Sequence, residues 1–529
     1  MRSCADRTVL RQTARGITLV AFSSLLATIS GAYATSTDNH EPGSMLTRTE
    51  KAPEPASAEP FKSAVVSVDF DVERGALLHT ERYNTWDNGD PAPDLRSRDA
   101  VFLNEQGLHS KLVRVGFSVD ELCDVEANVC DFSSIAGWLD DISVATDALV
   151  VHLTPKNIMH DNRPPSVAKP LLKLAINKLK QRFPKIEYIE ATNEPDWEFH
   201  GLQIYAGKEP ILQPDEVYPY YVPFYQAVNE LNETLPESEQ IKIGGPALTG
   251  MTKTWMTAFL DGYAADPNPD KRLDFISYHG YGEFSDDFKD YRANKTDPGR
   301  VSDQRARLDV WLRERQLTEG TPVFVTETGI YPGPSFDNKE DPRPDYLRQA
   351  AGLASQHYWW TGQQEIYPFN WVVRHATQGR KDQLITHAPE GPQTDTFSPY
   401  GNMLLMQSRM KETRVQATSD SLNEGQGVYA VASKDASGVS IMVWNYQHIN
   451  NSRFKTTITM KDLPGNLRGK KVRQRVYHID EEVSNYWTNP ETANLQTVSE
   501  SVVEPGAHYT MSVALTANAL LLVVLEPVK

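Results

Sequence analysis

The chain has 529 residues, 40% of them hydrophobic and 23% charged, which is typical of globular proteins and allows more than one domain. Its formal net charge of −17 is unfavourable for binding nucleic acid or anionic membrane surfaces, so we expect neither as a partner. A locally basic cleft is still compatible with this charge.

The first 34 residues have the pattern of a secretory signal peptide. Its positively charged start carries Arg2, Arg7, Arg11 and Arg15. An apolar run, Ile17 to Ile29, follows, and Ala32-Tyr33-Ala34 fits a small-residue cleavage site. We therefore predict a secreted or periplasmic protein without membrane insertion after cleavage; an uncleaved anchor is the alternative. Residues 35–62, rich in Thr, Ser, Pro, Glu and Ala, are predicted to form a disordered linker.

Residues 63–410 alternate between short β-rich runs and longer helical patterns, which predicts a (β/α)8 TIM barrel, an α/β fold. The strands are predicted at Ala76–His79, Lys111–Phe117, Leu149–Leu153, Ile186–Ala191, Ile241–Gly244, Asp274–His279, Pro322–Thr326 and Glu365–Asn370. An open doubly wound sheet is the alternative, but no G-x-G-x-x-G follows an early strand. The first strand is the least distinct, because Ala64–Phe70 is an equally good β segment.

The pattern changes after residue 411, where short β runs follow one another without a long helix between them. They lie at Gly427–Ala432, Val439–Trp444, Phe454–Met460, Val472–Tyr477 and Leu520–Leu525. This indicates a C-terminal β-sandwich domain over residues 411–529. Residues 64–70 are a candidate for an additional strand of that sandwich.

Two cysteines would remain after signal cleavage, since Cys4 lies within the signal. Cys123 and Cys130 bracket a short polar loop, and an oxidising compartment would let them pair. Two free thiols are the alternative. With so few thiolates, a cysteine-based metal site is not expected.

Two predicted barrel strands end in a carboxylate. Ile186–Ala191 continues into Thr192-Asn193-Glu194-Pro195, and the strand ending at Thr326 continues into Glu327-Thr328-Gly329. In such barrels the working residues lie at the C-terminal ends of the strands. Glycoside hydrolysis needs two opposed carboxyl groups, one as a proton donor and the other as a nucleophile or base. Their separation decides between retention and inversion, and sequence alone does not give it.

Four motifs in order resemble glycoside hydrolase family 39, in clan A of the retaining enzymes. They are Thr192–Trp197 (TNEPDW), Ile243–Ala247 (IGGPA), Asp274–Tyr281 (DFISYHGY) and Phe324–Gly329 (FVTETG). That family contains β-xylosidases and α-L-iduronidases. The resemblance covers most of residues 76–375 and implies a barrel followed by a β-sandwich.

The resemblance implies that Glu194 is the general acid/base and Glu327 the nucleophile. Asn193 would bond the sugar 2-hydroxyl, a contact that strengthens in the oxocarbenium-like transition state. Arg114, at the end of the second strand, would hold Glu327 ionised, because a nearby cation lowers a carboxyl pKa. The two glutamates could instead be solvated or salt-bridged, and Arg114 could be an ordinary buried ion-pair partner.

The resemblance further places His279 and Tyr281 around the sugar subsite and makes Trp371 a stacking platform. Trp86 and Trp197, in predicted loops, are candidate subsite walls, although large aromatics also serve as packing residues. The loop after Trp371 is basic, with Arg374, His375, Arg380 and Lys381, and Arg374 is a candidate for binding an acidic sugar. A solvated loop with scattered charges is the alternative.

We therefore expect a retaining glycoside hydrolase that acts on a carbohydrate without metal or organic cofactor. An endo-acting clan A hydrolase of an acidic or sulfated polysaccharide is the alternative, since residues 285–301 and 331–345 could form long walls around a cleft. A catalytically inactive carbohydrate-binding barrel is the alternative outside enzymes. The presence of both carboxyl groups, Asn193 and Arg114 argues against it, because a binding protein does not need all four.

Overall fold

The computed structural model describes residues 60–86, 93–281, 297–330, 343–374, 383–387, 395–423, 425–448 and 451–528. The predicted signal peptide and nearly all of the predicted linker lie outside these residues. So do most of the two long polar stretches and the basic loop beyond Arg374. Among the described helices, none combines the length and apolar character that crossing a bilayer requires.

Eight parallel strands close into a barrel in the order β10-β11-β2-β3-β6-β7-β8-β9. These barrel strands are β2 (Tyr83–Thr85), β3 (Ser110–Ser118), β6 (Thr146–Thr154), β7 (Ile186–Ala191), β8 (Lys242–Leu248), β9 (Phe275–Gly280), β10 (Val323–Thr328) and β11 (Ile366–Asn370). They read as apolar runs because strands of a barrel are covered on both faces. The predicted barrel is thus confirmed.

The prediction for the first barrel strand is wrong. It placed the strand at Ala76–His79, whereas β2 spans only Tyr83–Thr85, beside Asn370 of β11. Leu77 and Leu78 are apolar because they pack against the hydrophobic core, not because they belong to the barrel sheet. A three-residue strand is too short to give a periodic signal.

Helices connect the barrel strands and pack outside them. The described α-helices are Pro93–Glu105, Val119–Leu122, Ala136–Val144, Lys156–His160, Ala168–Arg182, Leu202–Tyr205, Val217–Asn232, Lys253–Ala265, Gln304–Glu314, Arg343–Trp360 and Pro399–Gln407. Trp360, at the end of its helix, is fully buried and donates to Oε1 of Gln304, so it is a packing residue.

Aromatic side chains fill the N-terminal half of the barrel interior. Phe275 and Phe324 stack at 4.4 Å, and Tyr83, Phe369, Leu112 and Val150 complete the cluster. This cluster occupies the N-terminal end of the barrel interior. Polar side chains are therefore concentrated at the opposite, C-terminal end of the strands.

The second sheet has nine strands in the order β19-β18-β21-β16-β15-β14-β1-β17-β20. They are β1 (Lys62–Ala76), β14 (Thr413–Ser419), β15 (Gly427–Asp435), β16 (Gly438–Tyr446), β17 (Phe454–Lys461), β18 (Val472–Ile479), β19 (Gln496–Val503), β20 (Tyr509–Leu515) and β21 (Leu520–Pro527). Their inward residues form a separate core, which fits a β-sandwich. β1 pairs antiparallel with β14 and parallel with β17, so the additional strand proposed at residues 64–70 lies within the sandwich.

Two small hairpins lie outside the barrel and the nine-stranded sheet. β4 (Cys123–Asp124) pairs with β5 (Val129–Cys130), and a Cys123–Cys130 disulfide closes this hairpin, as predicted. β12 (Ile385–His387) pairs with β13 (Asp395–Phe397) in the segment that follows β11.

Candidate active site

The turn after β7 holds Glu194 in an unusual backbone conformation. Thr192 and Glu194 have φ values of 64° and 43°, in the left-handed region that non-glycine residues rarely adopt. The Glu194 amide donates to the carbonyl oxygen of Ala247 at the end of β8, over 2.8 Å. Such strain persists only where surrounding bonds enforce it, and it is concentrated at functional sites. Here it points the Glu194 side chain towards the barrel axis, 2.7 Å from the His279 ring.

Both carboxylate oxygens of Glu327 accept hydrogen bonds. This residue lies within β10, beside His279 of β9 in the parallel register. Oε1 accepts from Nη1 of Arg114 at 2.8 Å, and Oε2 accepts from the Tyr281 hydroxyl at 2.6 Å. Two donors, one of them a cation, stabilise the ionised form of this carboxyl group.

Arg114 on β3 connects three acceptors. Its guanidinium donates to Glu190 at 2.6 Å, to Glu327 at 2.8 Å and to Oδ1 of Asn193 at 2.7 Å. Glu190, which the sequence analysis missed, is fully buried and also accepts from the Thr326 hydroxyl at 2.9 Å. The rigid fork of an arginine suits this role because it presents several donors in one plane. Arg114 therefore links strands β3, β7 and β10 through its bonds to Glu190 and Glu327.

His279 lies between the two candidate catalytic residues. Its Nδ1 is 2.7 Å from Oε1 of Glu194 and 3.5 Å from Oε2 of Glu327. One oxygen from each glutamate and one ring nitrogen all lie within 4.8 Å of one another. Such a triad has the donor types of a cation site, but Arg114 already supplies a positive charge at Glu327.

Burial and neighbouring charges shift the pKa values of Glu194, Glu327 and His279. Desolvation raises the pKa of Glu194 to about 7, with Glu198 adding to the rise and Arg114 opposing it. Desolvation also raises the pKa of Glu327, while His279, Arg114 and the Tyr281 hydroxyl lower it. The stabilising donors converge on Glu327, which favours the ionised form there and the protonated form at Glu194. Burial lowers the pKa of His279, which favours the neutral form of its ring.

A fourth carboxyl group, missed from the sequence, supports the Glu194 turn. Asp196 is buried and accepts from both the amide (3.0 Å) and the hydroxyl (2.5 Å) of Thr249, which follows β8. Desolvation raises its pKa to about 6, and the bonds from Thr249 oppose that rise. This pair fixes the Glu194 turn to the end of the neighbouring strand.

His152 near the end of β6 is a further polar group at this end of the barrel that the sequence analysis missed. A Cβ atom at Gly116 of β3 would lie 1.5 Å from its Nε2, so only glycine leaves room for the imidazole. Desolvation lowers the pKa of His152 well below its usual value. A polar residue two positions before the end of an apolar strand was the available sequence signal.

The predicted aromatic contacts divide into two groups. Trp371 is partly exposed immediately after β11, and Trp197 is partly exposed in the π-helical turn Trp197–Gly201 after β7. Both lie at the end of the barrel where Glu194 and Glu327 meet. Trp86 is 4% exposed and belongs to the main hydrophobic core, and its role as a subsite wall stays a prediction. Its ring is used for packing.

Arg374 forms a buried ion pair, and its role in sugar binding stays a prediction. Its guanidinium donates from Nε and Nη2 to the two oxygens of Asp99, each at 2.6 Å, and both side chains are buried. Asp99 lies in the helix Pro93–Glu105. A bidentate ion pair of this kind holds the segment after Trp371 against that helix and commits the charge of Arg374 to a protein carboxylate.

Comparison with known proteins finds similarity in structure. No protein-family model and no curated protein sequence matches the chain. The bacterial orthologue of human α-L-iduronidase superposes with a TM-score of 0.65 at 14% identity, covering 88% of this chain and 84% of that one. A family 39 glycoside hydrolase from Xanthomonas axonopodis pv. citri gives 0.64 at 14% identity, covering 89% and 98%. A monomeric β-xylosidase from Caulobacter crescentus gives 0.63 at 14% identity, covering 88% and 100%. The resemblance to family 39 is thus confirmed at the level of the fold.

Proposed function

We propose that this protein is a retaining glycoside hydrolase with Glu194 as general acid/base and Glu327 as nucleophile. The carrying observation is the short separation of the two carboxyl groups, with one oxygen of each and the His279 nitrogen within 4.8 Å. Retaining enzymes separate these groups by about 5 Å, whereas inverting enzymes need about 6.5–9.5 Å to admit a water molecule.

The unequal surroundings of the two residues support their separate roles. Glu327 accepts hydrogen bonds from Arg114 and Tyr281, which stabilise its ionised form, and this carboxylate attacks the anomeric carbon. Glu194, whose pKa is raised to about 7, donates its proton to the glycosidic oxygen as the bond to the leaving group breaks. The product is a glycosyl ester on Glu327.

The second step reverses the proton transfer. Glu194, now ionised, takes a proton from water, whose oxygen attacks the anomeric carbon. The ester bond breaks and the electron pair returns to the Glu327 carboxylate, with Arg114 again as its partner. Two inversions give net retention.

The substrate is a carbohydrate, in keeping with structural neighbours that include an iduronidase and a xylosidase. The protein acts after export, in the periplasm or outside the cell. The signal-like first 34 residues support this, and the Cys123–Cys130 disulfide is compatible with an oxidising compartment.

The test is hydrolysis of a panel of substrates by wild type, Glu327→Ala and Glu327→Gln. The panel holds aryl β-xyloside, β-glucoside, β-galactoside, α-L-arabinoside and α-L-iduronide, with neutral and sulfated or uronate-bearing polymers. We expect one class to be cleaved by wild type alone, with the first product retaining its anomeric configuration by NMR. Chain shortening of an acidic polymer with no aryl glycoside cleaved would favour the endo-acting alternative. Equal rates in all three proteins would disprove the nucleophile.

A further inference from the structure

Residues 484–494 of the β-sandwich, between β18 and β19, reach the barrel. Asn402 of the helix Pro399–Gln407 is fully buried and fixes both ends of this segment, which we call the bracing loop. Its Nδ2 donates to the carbonyl oxygens of Ser484 at 2.9 Å and of Ala493 at 2.6 Å. One side chain thus closes the loop at its base.

The middle of the bracing loop packs on the helix Arg343–Trp360, which follows the strand of Glu327 in the chain. Trp487 stacks on Tyr346 with ring centroids 4.0 Å apart and an interplanar angle of 13°. Tyr346 is 4% exposed and lies in the first turn of the helix Arg343–Trp360, which follows β10. In a (β/α)8 barrel, that turn lies at the end where the strand C-termini and the working residues are found.

The C-terminal end of the bracing loop is connected, through a hairpin, to the residues after Trp371. Asn494 accepts from the Thr396 hydroxyl at 2.9 Å, and Thr396 lies in the hairpin of β12 and β13. The other side of that hairpin bonds the chain directly after Trp371. The Leu384 amide donates to Val372 at 2.9 Å, and the Ile385 amide donates to Val373 at 3.1 Å.

We propose that the bracing loop is a working part of the sugar-binding site, in which Asn494 is a positioning residue for Trp371 and Trp487 is a positioning residue for the first turn of the helix Arg343–Trp360. The inference rests on the proposed function. A stacking platform contributes only while its ring is held parallel to the sugar, and a shift of about 1 Å in a positioned group can cost up to 100-fold in rate. The sandwich is then a part of the catalytic unit and not an independent module.

The first test measures the bracing itself and does not depend on activity. Hydrogen exchange is compared in the full chain for wild type, Trp487→Ala, Asn494→Ala and Tyr509→Ala. Tyr509 is a matched control, since this partly buried aromatic bonds Gln474 within the sandwich. We expect faster exchange at the amides of residues 384 and 385 in Asn494→Ala and in the first two turns of the helix Arg343–Trp360 in Trp487→Ala, with neither change in Tyr509→Ala. Unchanged exchange there would overturn the proposal whatever the activity.

The second test measures the consequence for sugar binding, with the aryl glycoside that wild type hydrolyses fastest in the panel above. We expect Trp487→Ala to raise KM about 10-fold with little change in kcat, because binding common to substrate and transition state is lost. Trp487→Phe keeps the stack and should restore KM, and Tyr509→Ala should leave it unchanged. Equal KM values in Trp487→Ala and Tyr509→Ala would overturn the functional role. Absence of turnover in wild type would instead overturn the proposed function, and the exchange result would then decide whether the bracing exists.

Discussion

The Arg114 guanidinium donates from Nη1 to Oε1 of Glu327 across 2.8 Å, with only 1% of the arginine side chain exposed. It also neutralises Glu190, so one cation serves two buried carboxyl groups. Replacing it with Met should lower the free energy of unfolding by about 3–5 kcal/mol, the usual cost of leaving buried charge unpaired. Urea denaturation measures this. Arg313→Met, which breaks an exposed pair with Glu319, is the control and should cost at most about 1 kcal/mol.

Arg114→Lys should retain more stability but alter the pH profile. A lysine has one nitrogen and cannot reproduce the three bonds to Glu190, Glu327 and Asn193. Since Arg114 lowers the pKa of Glu327, its replacement raises that pKa, and the acidic limb of kcat/KM should move to higher pH. An acidic limb at the wild-type position would show that Arg114 does not control the ionisation of the nucleophile.

The alkaline limb should belong to Glu194. A general acid must be protonated, so kcat/KM on a substrate with a poor leaving group should fall as the pH rises through about 7. Glu194→Gln should remove this limb and keep most activity only on aryl glycosides with activated leaving groups.

The raised pKa of Glu194 should also make stability depend on pH. Because the folded-state pKa is raised, the Glu194 carboxyl contributes stability below its ordinary pKa of 4.5, and this stability is lost as the pH rises to about 7. Tm should therefore fall more across this range in wild type than in Glu194→Gln.

Asp99 should matter for stability more than for sugar recognition. Asp99→Ala leaves the Arg374 guanidinium buried without its bidentate partner, at an expected cost of about 3–5 kcal/mol. Asp140→Ala breaks a similar bidentate pair with Arg182 in which both side chains are about half exposed, and should cost about 1 kcal/mol or less. Thermal or chemical denaturation of the two variants compares them directly. Equal losses would show that burial does not set the value of the Arg374 pair.

The disulfide should give a modest and local stabilisation. Cys123 and Cys130 are seven positions apart, so the closed loop is short and its entropy contribution is about 2 kcal/mol. Cys123→Ser with Cys130→Ser should lower stability by about that amount and leave kcat unchanged, since the hairpin carries none of the proposed catalytic residues. A loss of activity at full stability would contradict this. Mass measurement before and after alkylation verifies the pairing.

The sequence predicted the barrel because each long buried strand is an apolar run that ends in polar residues. It failed at Tyr83–Thr85, where three residues show no period and nearby Leu77 and Leu78 supply a competing apolar signal. Strands β14, β19 and β20 were also missed. β19 and β20 lie near the sheet edges and keep many exposed positions, so their apolar content is low.

The candidate site was predictable where one strand end carries the chemistry, as for Glu194 and Glu327. Glu190 was missed although a charge inside an apolar strand requires a buried partner, which is a usable signal. The burial of Arg374 and Trp86 was not predictable, because sequence indicates residue type and not the direction of the side chain. Trp487 lies far along the chain from the barrel, so its contact with Tyr346 has no local signal at all.

The place of β1 between β14 and β17 sets an order for folding during synthesis. Arg74 of β1 and its partner Gln416 of β14 are 342 positions apart, so β1 leaves the ribosome long before its neighbours exist. The whole barrel sequence lies between this strand and its neighbours, so its edges stay unpaired until residues 413–461 are available. Alternating charges along it, Asp69, Asp71 and Glu73, discourage edge-to-edge association with other nascent chains in that interval. A chain released before β17 would carry a finished barrel and an open strand, the kind of surface that chaperones and proteases recognise.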